Sequence, residues 1–214
     1  MKLCFAALVA ACAALLTNVA TAQDRAGEFD FYVLALSWSP TFCQTQRRSP
    51  DPAQCGERAA PGFVVHGLWP QHERGYPESC ATDQPLRVPS SLLSEMADVM
   101  PRSLVGYQWR KHGACTGLTQ ENYFALVRAA RERVTIPEPY EAPEFDLQVA
   151  ARTVEQAFVA ANPGLSERAL AVSCRDGRLS EVRICMSRSL DYRRCPEVDS
   201  SGCRASRILL PAAG

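Results

Sequence analysis

The chain has 214 residues, of which 47% are hydrophobic and 21% charged, proportions that suit one globular domain with a full core and exclude a disordered or fibrous protein. Its 23 basic and 23 acidic side chains balance, which also excludes a generally cationic nucleic-acid binder. A polyanion would have to be held at a local site, as in an enzyme that turns its substrate over.

The opening stretch MKLCFAALVAACAALLTNVATA, residues 1–22, has one basic residue, an apolar run and small residues at Ala20 and Ala22. It reads as a secretory signal cleaved before Gln23, leaving 23–214 as one mature domain. A lipoprotein box at Val9-Ala10-Ala11-Cys12 is the rival reading, but the apolar run continues through Leu15 and Leu16. No later segment approaches the ~20 unbroken apolar residues of a membrane span. A soluble monomer, secreted or periplasmic and without membrane contact, is therefore expected. Loss of Lys2 with the leader gives it a net charge of about −1, from 22 basic and 23 acidic residues.

Cys4 and Cys12 fall in the leader, and Cys43, Cys55, Cys80, Cys115, Cys174, Cys185, Cys195 and Cys203 remain. An even number in an exported chain argues for four disulfides. No two are spaced Cys-x-x-Cys and the gaps are too long for a zinc knuckle, so no metal is expected. Sequence alone leaves all 105 pairings open.

In chain order, EFDFYVLALSWS (28–39) is a largely buried strand ending at Pro40. PGFVVHGLWP (61–70) holds a short strand, Phe63 to Val65, that delivers His66 to its end. SSLLSEMADVM (90–100) reads as a helix with serine caps that stops at Pro101. ENYFALVRAARERV and DLQVAARTVEQAFVAANPG carry apolar residues at helical spacing. The second is opened by Asp146 and closed at Asn162-Pro163-Gly164. IPEPYEAPEF between them is a surface loop. ALAVSC and SEVRICMS flank Asp176-Gly177 as hairpin strands. Strands and helices mix without regular alternation, which predicts an α+β fold with a mainly antiparallel central sheet and surrounding helices.

Chemistry concentrates in two places. The chain has three histidines, and Lys111 is the one lysine outside the leader. Helical spacing puts Gln108 one turn before His112 and Tyr107 one turn before Lys111, so one face can present an amide, an ammonium and an imidazole together. Gly67 after His66 lets another chain approach that ring closely. Either histidine alone reads equally well as a hydrogen-bonded core residue. Two imidazoles plus a cation, however, are the minimal kit for splitting a phosphodiester beside a 2′-hydroxyl. One ring removes the hydroxyl proton, the other protonates the leaving 5′-oxygen, and the cation stabilises the phosphorane. No metal or cofactor is required.

FVVHGLWP (63–70) and QWRKHGAC (108–115) resemble the two active-site segments of the ribonuclease T2 family, acid endoribonucleases with little base preference. SWSPTFC, HGLWPQHERGYPESC, NPGL, VSC and EVRIC, in order, extend the resemblance over nearly the whole mature chain. It implies His112 as general base, His66 as general acid, Lys111 with Gln108 as stabilisers of the transition state, and Trp69 as a substrate contact. It also implies the pairs Cys43–Cys55, Cys80–Cys115, Cys174–Cys203 and Cys185–Cys195. The implied substrate is single-stranded RNA, cut through a 2′,3′-cyclic phosphate, with DNA inert.

Two departures stand out: the second segment usually opens His-Glu-Trp, and here it reads Tyr107-Gln108-Trp109. Tyr107 still donates to a phosphate oxygen but is uncharged near neutral pH, and Gln108 keeps an N–H but carries no negative charge. A catalytically weakened member acting as a binding or inhibitory module is therefore the alternative. Trp38 and Phe42 are candidates for stacking on bases, against the default that strand aromatics belong to the core. His72, in a polar turn, reads as a solvated loop residue. The arginines from Arg168 to Arg207 read as a solvated face.

Overall fold

The computed structural model describes residues 25–45, 52–56 and 62–213, so the expected signal segment lies outside the described residues. The fold is α+β, built on a sheet of strand order β2-β1-β5-β6-β3 with β4 paired to β5. Its strands are β1 (Phe31–Trp38), β2 (Phe63–Gln71), β3 (Leu147–Val149), β4 (Leu170–Arg175), β5 (Arg178–Met186) and β6 (Ile208–Leu210). All pairings are antiparallel except the brief contact of Arg178 with Leu209.

The alternation of β1 explains the two faces. Leu34, Leu36 and Trp38 point into the main core with Leu68, Val182 and Ile184, where they meet Trp109, Tyr123, Phe124 and Phe158 from the helices. Phe31 and Val33 point the other way, onto a smaller cluster of Ala171, Cys185, Cys195 and Val198 with Trp69 beside it. A period of two places successive side chains on opposite faces, so one face supplies stability and the other is left to carry chemistry. Each fully buried leucine contributes about 1.5–3 kcal/mol.

The expected strand at 28–39 begins three residues later, at Phe31, and Pro40 does not end the element so much as begin the next. It lies in the first turn of α1 (Ser39–Thr45), where a missing N–H costs nothing. The short strand expected to end at His66 instead runs on to Gln71. Pro70 does not stop it because β2 is the edge strand, where proline is tolerated. The helix expected over 90–100 is confined to α3 (Ser90–Glu95). The helix expected to open at Asp146 starts at Ala151, as α6 (Ala151–Ala161). The Asp146 Oδ1 accepts the Ala212 N–H at 2.8 Å, and Leu147 to Val149 pair with Ile208 to Leu210. Tertiary strand pairing has overridden local helical spacing there. The Asp176-Gly177 hairpin forms as expected, with φ of 49° and 72° at its two central residues, the signature of a type I′ turn.

The described cysteines form four disulfides: Cys43–Cys55, Cys80–Cys115, Cys174–Cys203 and Cys185–Cys195. These are the pairs the resemblance implies. The helices that matter next are α4 (Arg102–Lys111), a 3₁₀ turn at Gly113–Thr116, and α5 (Gln120–Glu132), which packs against both β2 and that turn.

Candidate active site

His66 is placed by an irregularity in the sheet. In the β1–β2 ladder Leu36 faces Val65 while Ala35 faces Gly67, so His66 is an extra residue bulged out of register. With Val65 and Leu68 both turned to the core, the bulge leaves His66, Gly67 and Trp69 for the opposite face. A bulge re-aims a side chain in this way at the cost of one ladder position.

Helix α4 packs against β2 at the edge of the sheet. It is anchored by Val105 and Trp109, both fully buried, and the Trp109 indole donates to the Pro85 carbonyl at 2.8 Å. Docking is close because Gly67 has no side chain: a Cβ there would lie 2.2 Å from the Gln108 Oε1 and 2.3 Å from the Trp69 Nε1. In that space the Trp69 N–H donates to the Gln108 Oε1 at 2.8 Å. This bond fixes the amide's orientation and turns its N–H₂ away from the indole.

His112 follows the last helical residue and its N–H closes on the Gln108 carbonyl. Beyond it Gly113 fits against Trp109 and Tyr123, whose rings a Cβ would meet at 2.5 and 2.8 Å. The Cys80–Cys115 bond and the Ser79 N–H, which donates to the Lys111 carbonyl at 2.8 Å, tie this end down.

These elements meet at a cavity of about 360 Å³ lined by His66, Trp69, Tyr107, Gln108, Lys111 and His112, with Tyr76 and Arg183. Trp69 lies between the two imidazoles, 5.3 Å from each ring centre. Trp38 is a correction. It is fully buried on the core-facing side of β1, and its N–H donates to the Pro211 carbonyl, so it meets Phe63 edge to face rather than stacking on substrate. Phe42 lines a separate cavity of about 170 Å³ that also touches His66 and Glu181. His72 is outside both cavities, with Asp30 as its neighbour at 3.9 Å.

The two imidazoles have opposite surroundings. His112 is buried, and its Nδ1 has no hydrogen-bond partner among the described residues. Burial, then the charges of Lys111 and His66, push its pKa down to about 3, so the ring is neutral at working pH. The His66 Nδ1 instead lies 2.5 Å from the Glu181 Oε1, which leaves its Nε2 as the nitrogen free to work. Arg183 clamps the other Glu181 oxygen at 2.8 and 3.0 Å. Burial alone would raise the Glu181 pKa, but His66 and Arg183 outweigh it and hold the carboxyl ionised below its usual range. Lys111 lies 3.2 Å from Glu78, and that hydrogen bond raises its pKa despite partial desolvation, keeping it charged.

Glu181 and Arg183 escaped the sequence reading, as did Glu78 and Tyr76. The signal for the first two was their spacing. Two opposite charges two residues apart, on a strand otherwise apolar around them, share one face and need a reason to be there. Among the described residues no three His, Cys, Asp or Glu side chains are grouped to hold a metal ion.

Fold and site define a class: an α+β domain tied by disulfides, with a neutral imidazole, a carboxylate-held imidazole and an ammonium around one open cavity. Residues 29–195 match the model of the ribonuclease T2 family, and the chain belongs to that family. A ribonuclease of Aeromonas hydrophila is 41% identical over 118 residues, covering 55% of this chain and 52% of that protein. A probable ribonuclease of Haemophilus influenzae is 36% identical over 136 residues, covering 58% and 50%. The chain thus spans about half the length of these two curated relatives. Among solved structures, an RNase-related protein from Calystegia sepium superposes with a TM-score of 0.68 at 23% identity, covering 87% of this chain and 99% of that one. RNase NT, solved with 5′-AMP, gives 0.66 at 22% identity, covering 86% and 99%. These two likenesses show the fold.

Proposed function

We propose that the protein is an exported endoribonuclease that cleaves single-stranded RNA by transphosphorylation to a 2′,3′-cyclic phosphate. The observation that carries this reading is the asymmetry of the two imidazoles across Trp69. The neutral, buried His112 suits removal of the 2′-hydroxyl proton. His66, with the Glu181 carboxylate against its Nδ1, suits delivery of a proton from Nε2. As the 2′-oxygen bonds to phosphorus, the bond from phosphorus to the 5′-oxygen breaks. His112 takes one proton and His66 gives one to the leaving group. Lys111 and the Gln108 N–H₂ meet the charge that builds on the phosphorane oxygens.

Tyr76 and Trp69 line the cavity near His112. A base stacked there is held by its face rather than its edge, which fits little base preference. Export is supported by the four disulfides, which persist in oxidising compartments. No helix among the described residues is long and apolar enough to cross a membrane. The reading of a weakened binding module is opposed by His66, Lys111 and His112 all lining one cavity.

The test is the purified protein on RNA and on DNA of the same sequence, with and without chelator. RNA should be cut at an equal rate in both conditions, with products ending in cyclic phosphate, and DNA should be untouched. Cleavage of DNA, or a chelator block that added metal relieves, would overturn the mechanism.

A further inference from the structure

The large apolar side chains exposed among the described residues are Tyr76, Leu86, Tyr107 and Phe145. The first three line two adjoining depressions. Tyr76 lines the catalytic cavity, Leu86 lines an open groove of about 730 Å³ next to it, and Tyr107 and Lys111 are walls of both. Exposed apolar side chains gathered at one place mark a binding surface more often than chance does. The groove's charged side chains are Arg110 and Lys111 against Glu78, an excess of one positive charge. The Arg110 guanidinium reaches back over Gly106, where a Cβ would lie 3.3 Å from it; a larger residue would crowd that position.

The direction of the groove follows from what it shares with the site. It shares Lys111, the neighbour of the base His112, whereas the cavity beside Phe42 shares His66, the acid that faces the leaving 5′-oxygen. The groove therefore continues on the 5′ side of the scissile bond. We propose that it binds the nucleotide immediately 5′ to the one whose 2′-hydroxyl attacks. The base lies against Leu86 and Tyr107, and Arg110 pairs with the phosphate joining the two nucleotides. This rests on the ribonuclease reading and adds that the preferred substrate is an RNA strand extending upstream of the cut.

Deoxynucleotide chains carrying a single ribose test it, because the ribose fixes the scissile position. Adding one nucleotide on the 5′ side should raise kcat/KM about tenfold, the size of one base–aromatic stack. In Arg110→Ala and in Leu86→Ala, both at exposed positions, the ratio of extended to unextended substrate should fall toward one. All-deoxy chains of the same lengths, which are not cut, report binding directly. Arg110→Ala should flatten the salt dependence of that complex by about 0.7 in log–log slope, one phosphate's share, and an unchanged slope counts against the groove. A gain confined to 3′ extension, or none on either side, overturns the groove while leaving the activity standing. If no chain is cut, the ribonuclease reading fails, and the salt slope of all-deoxy binding in Arg110→Ala decides the groove: a flatter slope supports it and an unchanged one overturns it.

Discussion

His66 and His112 are the same side chain given different surroundings by their neighbours. The acidic limb of a pH–rate profile reports the proposed base. His112 is held neutral down to about pH 3 by burial and by the charges of Lys111 and His66. Gln108, one turn away on the same cavity wall, adds no charge. Glu at that position would place a carboxylate near the ring and favour its protonated form. Gln108→Glu should therefore move the acidic limb of kcat/KM to higher pH, and an unmoved limb would remove Gln108 from the reacting centre. His66, the proposed acid, depends on Glu181 instead. Glu181→Gln keeps a hydrogen-bond acceptor beside His66 but removes the carboxylate charge, so kcat should fall at least about tenfold while KM changes little. A rise in KM that accounts for the whole loss, or a fall in kcat no larger than the loss of folded protein, would make Glu181 a structural residue only.

At the level of elements, the site is a meeting of a bulged edge strand with the end of a helix, and the Cys80–Cys115 bond fastens that end. Replacing both cysteines with serine should cost about 2–4 kcal/mol in unfolding free energy. It should also lower kcat in the protein that remains folded, because Lys111 and His112 lie just before Cys115. Urea unfolding and kinetics on the same sample would separate the two losses, and unchanged kcat in the folded fraction would show that the bond serves stability alone.

This scale also explains what the sequence revealed. The α4 spacing of Tyr107, Gln108, Lys111 and His112 was legible because helical period is local. So was the hairpin at Asp176-Gly177, set by two residues in the left-handed region. The bulge at His66 was hidden, since it depends on which residues of β1 lie opposite. Residues 147–149 were misread as helix because their partner strand begins at Ile208, far along the chain. Trp38 was misassigned because alternation tells that a strand has two faces but not which one meets the helices. Glu181 belongs to the same class, invisible until β5 is laid near β2 by way of β1.

The whole molecule pays for this centre with acid sensitivity, and the direction follows from His112. In the unfolded chain the imidazole takes up a proton near its ordinary pKa of 6.5, whereas in the fold it stays neutral down to about 3. Between those values the unfolded state binds more protons, so folding stability rises with pH across that window and falls on acidification. A depression of one pH unit corresponds to about 1.4 kcal/mol, so this group accounts for an acid loss on the order of a few kcal/mol. Glu181 acts in the same direction, because its folded pKa lies below its ordinary value. Its contribution is present above the unfolded carboxyl pKa and is lost as pH falls through the folded one. The four disulfides, which do not titrate, offset this loss by restricting the unfolded chain. Urea unfolding at pH 7, 5 and 4 should therefore show stability declining toward acid in the native protein and declining less steeply in His112→Asn, which keeps a polar side chain but no titrating ring. If the variant loses stability with the same slope as the native protein, the buried imidazole is not the acid-sensitive group, and the neutral state of the proposed base loses its independent support.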